Sequence, residues 1–96
     1  MFDEATQFRS KCTFSPILLN ESYSCADLFN NQPTGSISFS HGQYETDAHL
    51  KGNIHFIISY RRTLDYGIQI QIYTNQTVLR YRLNNSFTSW YVLAKT

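Results

Sequence analysis

From Gly67 to Thr96 the chain reads GIQIQIYTNQTVLRYRLNNSFTSWYVLAKT, and its two-residue period constrains the fold more than any other feature. Ile68, Ile70 and Ile72 alternate with Gln69, Gln71 and Tyr73, and Leu79, Tyr81 and Leu83 alternate with Val78, Arg80 and Arg82. A helix would scatter this pattern around its circumference. A strand sends successive side chains to opposite faces and so gathers the isoleucines on one of them. Asn75-Gln76 and Asn84-Asn85-Ser86 separate the runs and fit tight hairpins, because Asn accepts positive φ better than most residues. The last strand is expected over Phe87 to Ala94, and a glutamine face is expected to be the wet side of the sheet.

Two further strands precede these. Gly35 to Ser40 alternates Ile37 and Phe39 with serines, and Asn53 to Tyr60 places Ile54, Phe56, Ile58 and Tyr60 opposite His55, Ile57 and Ser59. The near-continuous apolarity of the second predicts a central strand buried on both faces. Residues 10–14 and 17–19 flank Pro16, and short edge strands fit there because proline lacks one ladder donor. Ser24 with Asp27 three residues on is a shortened capping box, which predicts one helical turn over Cys25 to Asn30, stopped by Asn31-Gln-Pro-Thr-Gly35. Residues 1–15 read as a lead-in and residues 16–96 as the domain. The expected class is all-β, a small antiparallel sheet or sandwich of about five or six strands with one short helical turn.

A domain of 96 residues buries only about 60 to 70% of the surface its unfolded chain exposes, so assembly with other copies would add needed stability. Eight Lys or Arg against seven Asp or Glu give a net charge of +1, too weak a field to hold nucleic acid by charge alone. The start, MFDEATQFRS, has an acidic pair and no apolar run, so no secretory leader is expected. Cys12 and Cys25 are expected as reduced, small apolar residues rather than a disulfide. His41, His49 and His55 lack metal-ligand spacing, and Glu45 with Asp47 reads as a solvated pair in a polar loop, so no cofactor, metal or catalytic role is expected.

The order of signals from Ser24 onward resembles the knob domain at the tips of bacteriophage tail fibres and phage-tail-like bacteriocins, often called the pyocin knob. The resemblance rests on Asp27-Leu28 before a turn, Pro33-Thr-Gly35 leading into ISFS, the strand IHFIISY, then GIQIQIYT, LRYR and the closing SFTSWYVL. It covers about seventy residues. Family members commonly carry Gly-rich turns and a second Trp where this chain has Asn84-Asn85 and Phe87. The resemblance implies a non-enzymatic, homotrimeric fibre tip on a virion, joined to an upstream fibre, which recognises a host cell-surface polysaccharide or other envelope receptor. A structural fibre cap or trimerisation module without its own ligand is the alternative.

Candidate contacts follow from these readings. The polar segment His41 to Gly52 is where a rigid sheet would carry specificity, and it supplies Tyr44, Asp47 and His49. Arg80 and Arg82 share a strand face and could answer acidic sugar groups through paired hydrogen bonds, or simply be solvated. Of the doublet Trp90-Tyr91, alternation turns one inward; Trp90 is expected as a packing anchor and Tyr91 as the exposed stacking surface. Gly35 and Gly67 are expected as structural turn positions.

Overall fold

The computed structural model describes residues 12–13 and 17–95. The expected lead-in over Met1 to Ser10, and Pro16 itself, lie outside the described residues. Eight strand segments and one helix follow in the order β1 (Cys12–Thr13), β2 (Leu18–Leu19), α1 (Cys25–Asn31), β3 (Ser36–Gly42), β4 (His55–Arg61), β5 (Gly67–Ile72), β6 (Gln76–Leu83), β7 (Ser86–Phe87) and β8 (Tyr91–Lys95). They form one sheet. β3, β4, β5 and β6 are an antiparallel meander; β1 and β2 both pair parallel with β3 at one edge, and β7 and β8 both pair antiparallel with β6 at the other. The all-β class with a short helix, read from the period-two runs, is the observed one.

Helix α1 is longer than the single turn expected, with seven residues, and its start is the expected one. Ser24 accepts a hydrogen bond from the Asp27 N–H at 3.1 Å while the Asp27 carboxylate accepts from the Ser24 N–H at 2.9 Å. These two bonds satisfy donors that a helix end otherwise leaves open. At the other end Arg61 of β4 donates to the carbonyls of Asn30 and Gln32 at 2.9 and 3.1 Å, placing a cation where the helix dipole is negative. Cys25, Leu28 and Phe29 point into the sheet.

Hairpin chemistry differs between the turns. Asn84 and Asn85 both have positive φ, 49° and 69°, which matches the twist of the strands they join, β6 and β7. Asn75 does not; the β5–β6 hairpin closes through the Tyr73 N–H to the Gln76 carbonyl at 2.8 Å, without a left-handed Asn. The last strand is also not continuous. Thr88 to Trp90 interrupts it, with Thr88 still bonded to Tyr81 through both its N–H and its hydroxyl, and this detour carries Trp90 to the helix side of the sheet.

The faces of the sheet are the main departure from the expected arrangement. α1 and the segment between β3 and β4 cover the side that carries Ser36, Ser38 and Ser40 of β3, His55, Ile57 and Ser59 of β4, Gln69 and Gln71 of β5, and Val78 and Arg80 of β6, all buried. Both glutamines are 0% exposed, so the glutamine face is the inside and not the wet side. On the opposite side Ile37 lies across from Tyr60, Phe39 from Ile58, Phe56 from Ile72, Ile70 from Leu79 and Ile68 from Tyr81. None of these residues is buried, and Phe56 is 68% exposed. β4 is central, as expected, but buried on one face only. The alternation was correct and the choice of inner face was reversed. The serines explain the choice sterically, because small side chains on β3 leave room for the helix.

Helix and sheet approach closely at Gly67: a Cβ there would overlap the Tyr60 carbonyl and the Phe29 ring. Gly67→Ala is expected to cost about 1–3 kcal/mol through overpacking, read as a lower urea midpoint with unchanged slope.

Candidate functional site

The residues with chemical potential converge under α1. Asp47, from the β3–β4 segment, accepts from the N–H groups of Cys25 and Ala26 at 2.9 Å each, and so completes the helix N-terminus that Ser24 begins to cap. Its carboxylate also meets Arg80 at 3.0 Å. Arg80 turns its Nε and Nη2 to Gln69 Oε1 at 3.0 and 2.8 Å, and Gln69 in turn donates to the Cys25 carbonyl at 2.7 Å and to Ser59 Oγ at 3.1 Å. One arginine thereby ties β6, β5, β4, the loop and the helix together.

A second branch runs beside the first. Gln71 donates to Cys25 Sγ at 3.1 Å, and the thiol donates to Glu45 at 3.4 Å. Tyr73 donates to Gln71 Oε1 at 2.7 Å and accepts from the Leu50 N–H at 2.9 Å, while the His49 N–H also reaches Gln71 Oε1 at 3.0 Å. His55 Nε2 approaches Glu45 Oε2 to 2.8 Å, with both side chains buried, but off the line of an aligned hydrogen bond. Glu45 Oε1 has no hydrogen-bond partner among the described residues.

Electrostatics follow from burial. Burial opposes charge on Asp47, but the Cys25 N–H, the Arg80 cation and the Ala26 N–H outweigh it and hold the carboxyl below its ordinary value. Burial pushes the Cys25 thiol far up, with Asp47 and Glu45 adding to it, so Cys25 stays a neutral donor and not a nucleophile. Burial likewise pushes the Tyr73 hydroxyl up to about 12, which keeps it protonated in its bond to Gln71. Cys25 is a free thiol.

Arginine and aromatic side chains stack next to this network. The Arg80 guanidinium lies 3.8 Å from the Phe87 ring centre and 4.6 Å from that of Trp90, and Arg82 lies 4.7 Å from Phe87 and 5.3 Å from Phe29. Phe29 and Phe87 meet edge to face at 5.4 Å. Such contacts gain strength when water is excluded. Trp90 also donates its indole N–H to the Asp47 carbonyl at 3.0 Å.

Of the candidate contacts, Asp47 and Arg80 are brought together with Trp90, and their polar atoms face one another. His49 turns its ring edge towards Tyr73 at 6.5 Å. Arg82 is half-buried and bonded to Asn85 in its own hairpin. Tyr44 and Tyr91 are exposed, at 52% and 54%, and are not neighbours in one site; Tyr91 stands beside Tyr81 on the open apolar face, ring centres 6.4 Å apart. Gly35 has positive φ, 77°, at the turn into β3. Sequence reasoning did not find the Gln69, Gln71 and Tyr73 chain, nor the pairing of Glu45 with His55. The available signal was parity: serines, glutamines and Arg80 all fall on one side of neighbouring strands.

Among the described residues no group of three or more His, Cys, Asp or Glu is arranged to hold a metal ion, and no helix is long and apolar enough to cross a membrane. No family model, curated protein or solved structure matches the chain.

Acid should act through Asp47. Its folded value is depressed, so its stabilisation is present above the unfolded value near about 3.9 and is lost as pH falls through the lower folded one. Asp47→Asn is expected to lose about 2 kcal/mol at neutral pH, and its deficit against the parent protein should shrink below about pH 4, as read by urea unfolding across pH.

Proposed function

We propose that the chain is a non-enzymatic interaction domain of a viral fibre end, of the knob type that its closing strands resemble, acting by surface contact in attachment to a host cell. The observation that supports this reading is the division of the sheet. Cys25, Glu45, Asp47, His55 and Arg80 are engaged with one another beneath α1. The opposite side of the sheet is aromatic and aliphatic, an uncharged face with Tyr91 at its edge, and Tyr44 is exposed separately on the β3–β4 loop. Tyrosine combines an apolar ring with a polar tip, which suits stacking on sugar faces or on a wet protein surface.

The open sheet face also favours the second reading, a structural cap or assembly module. That reading needs no ligand, and in it the exposed tyrosines are rim residues.

Host attachment predicts that the chain binds host cells or their purified surface glycans, and that Tyr44→Ala together with Tyr91→Ala lowers the bound fraction at least about tenfold, the loss expected of a stacking contact or two. Fluorescently labelled protein in a pull-down with cells measures this. Equal binding by the double variant would remove these tyrosines from the contact, and no binding by the parent protein would favour the assembly reading.

A further inference from the structure

We infer that the cleft between the β4–β5 loop and the end of β6 binds a carboxylate-bearing sugar unit of a surface polysaccharide, with Tyr60 and Tyr66 against its ring and Arg62 on its carboxylate; this rests on the attachment reading and gives it a ligand class.

The first support is the shape and lining of the cleft. It has a volume of about 220 Å³ and is walled by Tyr60, Tyr66, Ile68 and Leu83, with Arg62 among them. Tyr60 and Ile68 are cross-strand partners, and Arg62 and Tyr66 come from the loop that joins their strands. The volume is below the ~300–1,000 Å³ of a site for a drug-sized molecule, so it suits one ring of a longer chain that continues across the surface. Tyrosine rings beside aliphatic side chains suit the C–H face of a sugar. No hydrogen bond among the described residues engages the Tyr60 or Tyr66 hydroxyl, which leaves both tips for the hydroxyl groups of a ligand.

The second support is that the loop is already fixed. The Tyr66 carbonyl accepts from the Arg62 and Thr63 N–H groups at 3.0 and 3.1 Å, and the Asp65 carbonyl accepts from the Asn85 N–H at 3.3 Å. The Arg61 guanidinium reaches the Leu64 carbonyl at 3.5 Å. Arg62 and Tyr66 are thereby clasped together at the base of one closed turn. A ligand meets them in place and does not have to order the loop first.

The third is charge, which selects an acidic ligand. Arg61 and Arg82 both pair with Gly67, Arg62 follows Arg61, and among the described residues none of the three is within ion-pair distance of an acid. Arg61 donates to the carbonyls of Asn30 and Gln32, and Arg82 to the side-chain oxygen of Asn85, all neutral acceptors. Asp65 is the one acid of the β4–β5 loop. Burial and then the like charge of Arg61, with Arg80 adding to it, hold the Arg82 guanidinium below its ordinary value against the pull of Asp65, as expected where cations outnumber acids. Arg82 stacks on Phe87 and supplies field, not contact. Arg62 is the exposed member, and its guanidinium can give a carboxylate two parallel N–H donors. A basic partner would be repelled, and a neutral sugar would gain nothing from the cation.

Binding of acidic oligosaccharides to the whole chain tests this, with alginate, polygalacturonate and hyaluronan fragments as probes and their carboxyl-reduced forms as neutral counterparts. At least one acidic probe is expected to bind, and its carboxyl-reduced form to bind at least about tenfold more weakly. Arg62→Gln and Tyr66→Ala, both at exposed positions, are each expected to weaken that binding at least about tenfold, and Arg62→Lys to keep part of it. Lys51→Gln, which removes the same charge from an exposed position between β3 and β4, is expected to leave it unchanged. An unfolding transition checks that each variant is folded. Failure of all the acidic probes overturns the inference, as does equal binding of the carboxyl-reduced forms. Binding that either folded cleft variant leaves intact, or that Lys51→Gln weakens as much as Arg62→Gln does, also overturns it. A single-stranded thymidine oligonucleotide bound in preference to every acidic glycan would overturn it too, assigning the arginines to phosphate. Host-cell binding through Tyr44 and Tyr91 without acidic glycan binding would overturn the inference while sparing the attachment reading; glycan binding in the cleft without cell binding would do the reverse.

Discussion

The Asp47 carboxylate, held between the N-terminus of α1 and the Arg80 guanidinium, is the contact on which the remaining structure depends. It is placed by a loop, yet it joins the helix to the far side of the sheet. Without that carboxylate, two helix N–H groups would lose their acceptor and an arginine that is 6% exposed would lose its counter-charge. Arg80 is the other half of the same device. Its remaining donors fix Gln69, Gln69 fixes the carbonyl of Cys25, and its flat faces hold Phe87 and Trp90.

A buried layer of this kind is expensive to desolvate and is retained only where nearly every donor and acceptor finds a partner. Here the bonds run in chains from strand to helix to loop, so the segment from Tyr44 to Asn53 is anchored at Glu45, Asp47, His49 and Leu50. Rigidity of the anchored loop and exposure of the opposite face are two consequences of one choice. Because the polar side chains are the ones that the helix covers, the aliphatic ones are displaced outward. The interior is specified by hydrogen-bond geometry, and the apolar side chains of β4 and β5 face outward.

Much of this was legible in the residues. The Gly67 to Leu83 alternation gave strands with the correct parity, Ser24 and Asp27 gave the helix start, and Asn84-Asn85 gave a left-handed hairpin turn. The side of the sheet that faces inward was not legible, since hydrophobicity alone assigns isoleucine to the inside and glutamine to water. What reverses the assignment is tertiary. Asp47 lies 33 positions before Arg80, and Cys25 lies 46 before Gln71, separations over which no local pattern operates. The interruption at Thr88 to Trp90 was hidden for a related reason: the run SFTSWYVL has strand propensity throughout, and only the need to bring Trp90 onto Arg80 breaks it. Among candidate contacts, exposure separates Tyr44 and Tyr91 from Asp47 and Arg80, a distinction that residue type could not make.

The reversal of the sheet faces is tested most directly by hydrogen exchange at glutamine side-chain amides, followed by NMR after transfer into D2O. Gln69 and Gln71 donate through Nε2 to Cys25 and Ser59 inside the layer, whereas the Asn53 side chain is exposed. The amide signals of Gln69 and Gln71 are predicted to outlast that of Asn53 by about a hundredfold or more, as expected for groups released only by local or global opening. Exchange of both glutamines at the rate of Asn53 would contradict the account, because it would put the polar face of β5 in water.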